Sequence, residues 1–310
     1  MARIVTTFAL PDDALDLLRP HGSIAGPDGW RDALADAEAL LCLLTDRVDA
    51  DLLDRAPSLR VVANAVVGYE HVDVAACRAR GITVTNTPDV LTDATADLAF
   101  ALILSALRGL PSAERSLRTG EFHGWGFWDY LGADPGGRTL GIYGMGRIGQ
   151  AVARRAAPFG MRVIYHSRSR LSPEDEAALG AERTDFDGLI ARSDVLSLHA
   201  PLTADTRHVI SAEVLRRMRP GSFLVNTARG ALVDEAALVD ALRDGPLAGA
   251  GLDVYEREPA LAPGLVDLPN VVLLPHVGSA TRETRTRMAM LAARNAQAVL
   301  TGHPPLTPIP

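Results

Sequence analysis

Cysteine is nearly missing from this chain: 310 residues carry two, Cys42 and Cys77. Both stand in apolar surroundings without metal-ligand spacing, which argues against a disulfide or a metal site and fits free thiols in a reducing cytoplasm. No apolar run reaches the ~18 residues of a membrane span, and no basic leader with an apolar segment opens the sequence. A soluble protein is expected. Positive charge is in deficit, with 31 basic against 38 acidic residues and a formal net charge of -7. Neither nucleic acid nor an anionic membrane surface is therefore expected as the main partner, and an anionic substrate must be drawn in by local charge. What the chain has instead is 47% hydrophobic residues over its 310 positions, enough for two packed cores.

The most informative stretch lies between Gly137 and Arg170. Leu140 to Tyr143 form a short apolar run, and Gly144, Gly146 and Gly149 follow in G-x-G-x-x-G spacing where that run hands over to a helical pattern. A bare glycine triplet can be an ordinary turn. Here strand, turn, helix and second strand all fit the ~30-residue unit of a dinucleotide cradle, in which the helix N-terminus faces the pyrophosphate. The second strand ends in His166, Ser167, Arg168, Ser169 and Arg170, with no Asp or Glu to take the ribose hydroxyls. A hydroxyl and two guanidinium groups suit a 2′-phosphate, so NADPH/NADP is expected in preference to NADH/NAD; a solvated basic turn is the alternative.

Around the cradle, strand-like runs alternate with helical ones. Strands are expected near 3–8, 39–44, 59–65 and 82–86, with helices near 12–18, 49–55 and 72–80. A long apolar helix over 91–108 leads out of this first region, and 111–118 is helical. Residues 120–137 show no readable period but hold Phe122, Trp125, Phe127, Trp128 and Tyr130, which favours an interface arm over simple packing. Beyond the cradle, Ser172-Pro173 with Asp175 starts a helix. Strands at 195–198, 223–225, 248–252 and 271–274 enclose helices near 211–218 and 235–243. A final helix over 281–300 can carry the chain back to the first region, followed by an extended proline-rich tail. The alternation implies an α/β fold of two doubly wound parallel-sheet domains.

Four stretches remain that helix and strand rules leave unexplained. Asn64 to Gly68 sits at a strand end, where main-chain N–H groups can face a small anion, though it reads equally as a tight turn. Arg229 stands between a buried strand and Gly230, offering a planar fork to a carboxylate, with a surface ion pair as the alternative. Gly251 to Pro259 brings acids, and Leu274 to Ala280 brings His276, both at strand ends, where open parallel sheets bind ligands. An anchor, a proton donor and a carboxylate that keeps the donor charged are what hydride transfer to a 2-keto acid requires.

These stretches resemble the D-isomer-specific 2-hydroxyacid dehydrogenases. NAVVGYEHVD, TNTPDVLTDATAD, GMGRIG, HAPLT, VNTARGALVDE, GAGLDVYEREP and LPHVGSAT occur in the family's order across nearly the whole chain. The resemblance implies a flavodoxin-like substrate domain of residues 1–99 plus 283–310 and a Rossmann domain of 100–282, with the active site in the cleft. It makes Arg229, Glu258 and His276 catalytic, with Glu256 only a neighbour. Val67, Gly68, Arg229, His276 and Ser279 would meet the substrate. Thr95, Gly144, Met145, Gly146, Arg147, Ile148, Gly149, Ser167, Arg168, Ser169 and Arg170 would meet the cofactor. So would Pro201, Thr206, Thr227, Ala228, Arg229, Asp253, His276 and Gly278.

Within the family the chain is most similar to glyoxylate/hydroxypyruvate reductases. Those are homodimers in which a tryptophan of the partner's arm closes the substrate pocket; Trp128, one position out of register, or Trp125 would serve here. A phosphoglycerate dehydrogenase, another family member, or a dinucleotide-sensing corepressor on the same fold are the rival readings. Formate dehydrogenases, which also resemble this family, replace the glutamate partner of the histidine, whereas Glu258 is kept.

Overall fold

Apolar runs bounded by capping side chains and glycines alternate as strands and helices through the chain. The computed structural model describes residues 2–310. The first elements are β1 (Ala2–Thr6), α1 (Asp12–Leu18), β2 (Gly22–Ala25), β3 (Ala37–Cys42), α2 (Ala50–Asp54), β4 (Val61–Asn64), α3 (Val74–Ala79) and β5 (Thr83–Thr85). Next come α4 (Thr92–Leu107), α5 (Leu110–Arg118), β6 (Thr139–Tyr143), α6 (Arg147–Ala156), β7 (Arg162–His166), α7 (Pro173–Leu179), β8 (Ala181–Arg183) and α8 (Phe186–Arg192). The chain ends through β9 (Val195–Leu198), α9 (Ala212–Arg217), β10 (Ser222–Asn226), α10 (Glu235–Arg243), β11 (Leu247–Leu252), β12 (Val271–Leu273) and α11 (Arg282–Leu300). Helix starts are chemically marked. Ser172, for example, accepts a hydrogen bond from the Asp175 amide at 3.0 Å, and Thr281 from that of Thr284 at 3.1 Å, caps worth about 1 kcal/mol each.

Two units result. Unit 1 comprises the residues up to Leu91 together with Ser279–Pro310. Its five strands are all parallel in the order β2-β1-β3-β4-β5, the flavodoxin-like order. Successive strand residues face opposite ways, so β3 sends Leu40 and Cys42 into one core and Ala39 and Leu41 into another. The second core is closed by Ala292, Ala293 and Ala296 of α11. Cys42 and Cys77 are free and buried in the first, and burial raises both thiols, Cys77 to about 11, which keeps them unreactive. The tail does more than extend. Thr85 and Pro308 form an antiparallel bridge, and Ile309 N–H donates to Val84 O at 2.8 Å, covering the exposed edge of β5.

Unit 2, Thr92–Gly278, holds seven parallel strands in the order β12-β11-β10-β9-β6-β7-β8. This is the Rossmann order extended by one strand, reversing between β6 and β9. All of α4 belongs here, because it packs on α6, β10, β11 and β12 and buries Ala96, Ala99, Leu102 and Ile103. The chain therefore crosses between units at 91/92 and 278/279, not at the 99/100 and 282/283 read from sequence. Three elements went unread: β2, β8 and α8. β8 is the three residues Ala-Glu-Arg, strand only through pairing with β7, and α8 carries Gly188 within its pattern.

Residues 121–138 form an arm without helix or strand. Trp125 and Trp128 are 82% and 76% exposed, with Phe127 edge-on to both. The arm is rooted by Tyr130 and Ser116, whose hydroxyls lie 2.8 Å apart, and by Ala133 N–H on Leu107 O at 2.7 Å. Among the described residues no single helix is long and apolar enough to cross a membrane.

Candidate active site

The cradle opens at the switch point between β6 and β9. Gly144 has φ +97°, and a Cβ there would come within 2.6 Å of Ala200 N. A Cβ on Gly149 would lie 2.2 Å from Gly144 O, so α6 packs this closely only because the position is glycine. Gly146 has nothing within 4 Å of where its Cβ would be, leaving the approach to the α6 N-terminus open. Met145 is buried, while Arg147 and Ile148 begin α6. Just after β10, Thr227 has a buried hydroxyl Oγ1 with no hydrogen-bond partner among the described residues. An open helix N-terminus and a buried hydroxyl at a strand end fit a dinucleotide.

At the ribose end the structure separates residues that the sequence groups together. Arg170 forks onto Glu176, Nε to Oε1 at 3.0 Å and Nη2 to Oε2 at 2.9 Å, and Tyr165 OH adds a bond to the same carboxylate at 2.6 Å. The guanidinium, then the tyrosine, hold Glu176 down to about 2. Arg170 is therefore committed to Glu176, because a buried tyrosine anchors the acid that captures it. Arg168 is exposed and makes no ion pair among the described residues, Ser167 is half-buried, and Ser169 is exposed. A second cation is supplied by Arg183 of β8, whose Nη2 reaches Ser167 O at 3.5 Å. It was hidden in sequence because β8 itself was not readable. Behind these residues His166 stacks on Tyr143 with ring centroids 6.0 Å apart, and its Nδ1 lies 3.2 Å from Thr184 O.

The residues expected to be catalytic gather at the ends of β10, β11 and β12. His276, with φ +54°, places Nδ1 2.9 Å from Glu258 Oε2. Burial alone would raise the Glu258 carboxyl, yet its net displacement is downward. The hydrogen bond from His276, that from Tyr255 N–H at 3.0 Å, and the charges of His276 and Arg229 together outweigh burial. Arg229 reaches this position through a turn built by Asn226, which accepts from Ala228 N–H at 3.0 Å and donates to Arg229 O at 2.8 Å. Gly230 follows because a Cβ there would stand 1.8 Å from Tyr255 C. That contact sets the arginine turn directly against the Glu258 loop.

Asp253, 1% exposed, accepts Val277 N–H at 2.7 Å and Gly278 N–H at 2.8 Å and so staples the segment after His276 to β11. Burial raises its carboxyl, and the two N–H groups reverse this only in part. Thr95, buried in the first turns of α4, lies against Gly278. Tyr255 ties the corner to β12 by donating to Leu274 O at 2.8 Å, and burial pushes its hydroxyl up to about 12.

Glu256 is more than a neighbour. Its Oε1 accepts from Arg207 Nη2 at 2.8 Å and lies 2.9 Å from His208 Nε2, while its N–H donates to the buried Glu235 at 2.7 Å. It thus fastens the loop after β9 to the loop that carries Glu258. In that same loop the Thr206 hydroxyl is bound to Pro201 O at 2.8 Å. Nothing in the sequence announces this node, since its members are 21 to 49 positions apart.

Unit 1 carries the remaining residues, Val67, Gly68 and Ser279. The turn 66–68 after β4 is held by its carbonyls. Asn64 Nδ2 donates to Gly68 O at 2.8 Å and Asn86 Nδ2 to Val67 O at 2.8 Å, whereas the N–H groups of Val66, Val67 and Gly68 make no hydrogen bond among the described residues. Such a turn presents main-chain donors to an anion.

A doubly wound cradle beside a paired histidine, glutamate and arginine defines a nicotinamide-dinucleotide-dependent oxidoreductase. The family model for the D-isomer specific 2-hydroxyacid dehydrogenase NAD binding domain matches residues 100–278. The chain is 46% identical over 318 residues to the glyoxylate reductase of Thermococcus litoralis, covering 98% of this chain and 95% of that protein. It is 48% identical over 317 residues to that of Aeropyrum pernix, covering 98% and 94%. A glyoxylate reductase from Paecilomyes thermophila superposes with TM-score 0.89 at 38% identity, covering 100% and 98%. The NADPH-dependent glyoxylate/hydroxypyruvate reductase of Sinorhizobium meliloti, solved with NADP and malonate, gives 0.85 at 39% identity, covering 99% and 96%. This chain belongs to the D-isomer specific 2-hydroxyacid dehydrogenase family, whose substrates are small 2-keto and 2-hydroxy acids.

Proposed function

We propose that this enzyme reduces glyoxylate and hydroxypyruvate to the corresponding 2-hydroxy acids, the D-isomer where the product is chiral, and that it prefers NADPH to NADH. The observation that carries the reaction is the His276 to Glu258 pair at 2.9 Å with the Arg229 charge beside it. The relatives named glyoxylate reductase support the substrate.

The bound dinucleotide supplies a hydride to the carbonyl carbon. Arg229 binds the substrate carboxylate through its planar fork and stabilises the charge that grows on the carbonyl oxygen. His276 gives the proton from Nε2, since its Nδ1 faces Glu258. Glu258, displaced toward its ionised form, pairs with Nδ1 and so orients the ring with Nε2 toward the carbonyl oxygen. Asp253 holds the segment after His276 in place through two main-chain bonds. The N–H groups of Val67 and Gly68 are assigned to an anionic group of the carboxylate type.

The NADPH preference rests on Ser167, Arg168 and Arg183, with no carboxylate at the strand end to compete for the phosphate. Two charge-assisted bonds of about 1.5 to 3 kcal/mol each correspond to a preference of roughly a hundredfold or more. The aromatic arm is assigned to contact between two copies of the chain, making a homodimer, and a cytoplasmic location goes with the two free thiols. Spectrophotometric consumption of NADPH and NADH with glyoxylate and hydroxypyruvate tests the reading. Absent turnover with both acids would favour a binding role, and equal efficiency with the two dinucleotides would end the claim of NADPH preference. Sedimentation equilibrium of wild type and a Trp125→Ser/Trp128→Ser double variant tests the dimer.

A further inference from the structure

We infer that Asn86, itself held by the C-terminal tail, is a positioning residue that aims the Gly68 N–H at the substrate carboxylate; this rests on the assignment of the 66–68 turn as a carboxylate site. The argument starts from the peptide group. In a planar trans peptide, the carbonyl of one residue and the N–H of the next point in opposite directions. Pinning a carbonyl therefore aims the following N–H. Val66 O accepts from Asn64 Nδ2 at 3.3 Å and Thr87 N–H at 3.2 Å, which turns the Val67 N–H outward. Val67 O accepts from Asn86 Nδ2 at 2.8 Å, which turns the Gly68 N–H outward. Each donor of the anion turn is thus set by a side chain or main-chain group behind it.

Asn86 does not hold its own place alone. Its carbonyl accepts from Thr307 Oγ1 at 2.6 Å, and its N–H donates to Thr307 O at 3.3 Å. Thr307 is fixed in turn by Asn295, a fully buried side chain on α11. Asn295 Nδ2 donates to Thr307 Oγ1 at 2.8 Å, and its Oδ1 accepts Leu306 N–H at 2.9 Å and Thr307 N–H at 3.1 Å. Every donor in this relay has one acceptor: Asn295 to the Thr307 hydroxyl, that hydroxyl to the Asn86 carbonyl, and the Asn86 amide to the Val67 carbonyl. Directional chains of this kind reinforce one another in a low-dielectric setting. The tail is held independently of Asn86 by Ile309 N–H on Val84 O at 2.8 Å and by the Asn295 bonds.

The test uses the full-length enzyme and two variants, Asn86→Ala and the isosteric Thr307→Val, with oxalate as a non-reducible analogue of glyoxylate. In Asn86→Ala, KM for glyoxylate and Ki for oxalate should both rise by about tenfold or more, with kcat and the NADPH dissociation constant changing by less than about twofold. Thr307→Val should move KM and Ki in the same direction by a smaller factor. A residue that merely supports the fold would lower the thermal midpoint and the active fraction while leaving KM and Ki alone; that result overturns the inference. Amide resonances of Val67 and Gly68 in 15N-labelled wild-type enzyme separate the two levels. If oxalate leaves both unmoved, the carboxylate assignment fails and the inference with it. If oxalate shifts them while both variants keep wild-type KM and Ki, only the role of Asn86 and the tail is lost.

Discussion

Two regions of this molecule are assigned to negative charge, and they are made of different materials. In unit 2 the corner of Arg229, Glu258 and His276 uses ionisable side chains, each displaced or aimed by the others. In unit 1 the 66–68 turn uses neutral main-chain N–H groups, aimed by the amides of Asn64 and Asn86. The contrast separates reaction from recognition. Moving a proton demands a group that titrates near working pH, which makes the corner sensitive to pH and to single charges. Holding a carboxylate needs only donors of fixed direction, so the turn should work alike wherever the substrate is ionised.

The largest way to break the comparison is to remove the proton donor. His276→Ala should lower kcat/KM by roughly a hundredfold to ten-thousandfold at every pH, while oxalate still shifts the amides of the unit 1 turn. Next comes the anchor. Arg229→Lys keeps the charge but loses the fork, and steady-state kinetics should show both a higher KM and a lower kcat, with kcat/KM down by about a hundredfold; values near wild type would place the anchor elsewhere.

The cofactor end gives an intermediate effect. Arg168→Ala should weaken NADPH binding by about tenfold to a hundredfold and NADH hardly at all, as read by fluorescence titration. Arg183→Ala should do the same to a lesser degree, whereas Arg170→Ala, with its fork spent on Glu176, should leave the ratio unchanged.

The smallest expected effect sharpens the contrast most. The Glu258 carboxyl is displaced downward, so it is ionised through the neutral range and loses its charge only as pH falls through that lowered value. In its ionised form the carboxylate pairs with His276 Nδ1 at 2.9 Å and orients the ring. Glu258→Gln should lower kcat for reduction at neutral pH and flatten the acid limb that this loss of charge produces, while Ki for oxalate keeps its pH dependence. His199 adds no limb, because burial pushes it down to about 4 and leaves it neutral. An unchanged limb would show that Glu258 does not govern the donor.

The sequence was most readable where the cause of structure is local. Gly144 and Gly149 each have a nearby contact that requires glycine, Gly146 keeps the helix N-terminus open, and the strand ends that carry Arg229 and His276 follow from alternation. Glu258 came from the family resemblance, since nothing in a separation of 18 residues announces a 2.9 Å contact with His276. What stayed hidden depends on partners far apart along the chain. The capture of Arg170 by Glu176 needs the buried Tyr165, the Glu256 node joins two loops to the start of α10, and Thr307 meets Asn86 across 221 positions. Short edge strands failed for a related reason, because Ala181–Arg183 is a strand only through its neighbour.

The division of unit 1 between the two ends of the chain also orders its birth on the ribosome. Its sheet is synthesised first, but Ile4, Ala39, Leu41, Val61 and Ala63 acquire their covering alanines, 292, 293 and 296, only after unit 2 has been made. At ~5 to 20 residues per second, about 190 intervening residues leave that apolar face bare for roughly ten to forty seconds. Unit 2 is contiguous and can close in the meantime. The part of the protein that begins first is the part that finishes last, and for that interval its exposed face is a natural target for a chaperone.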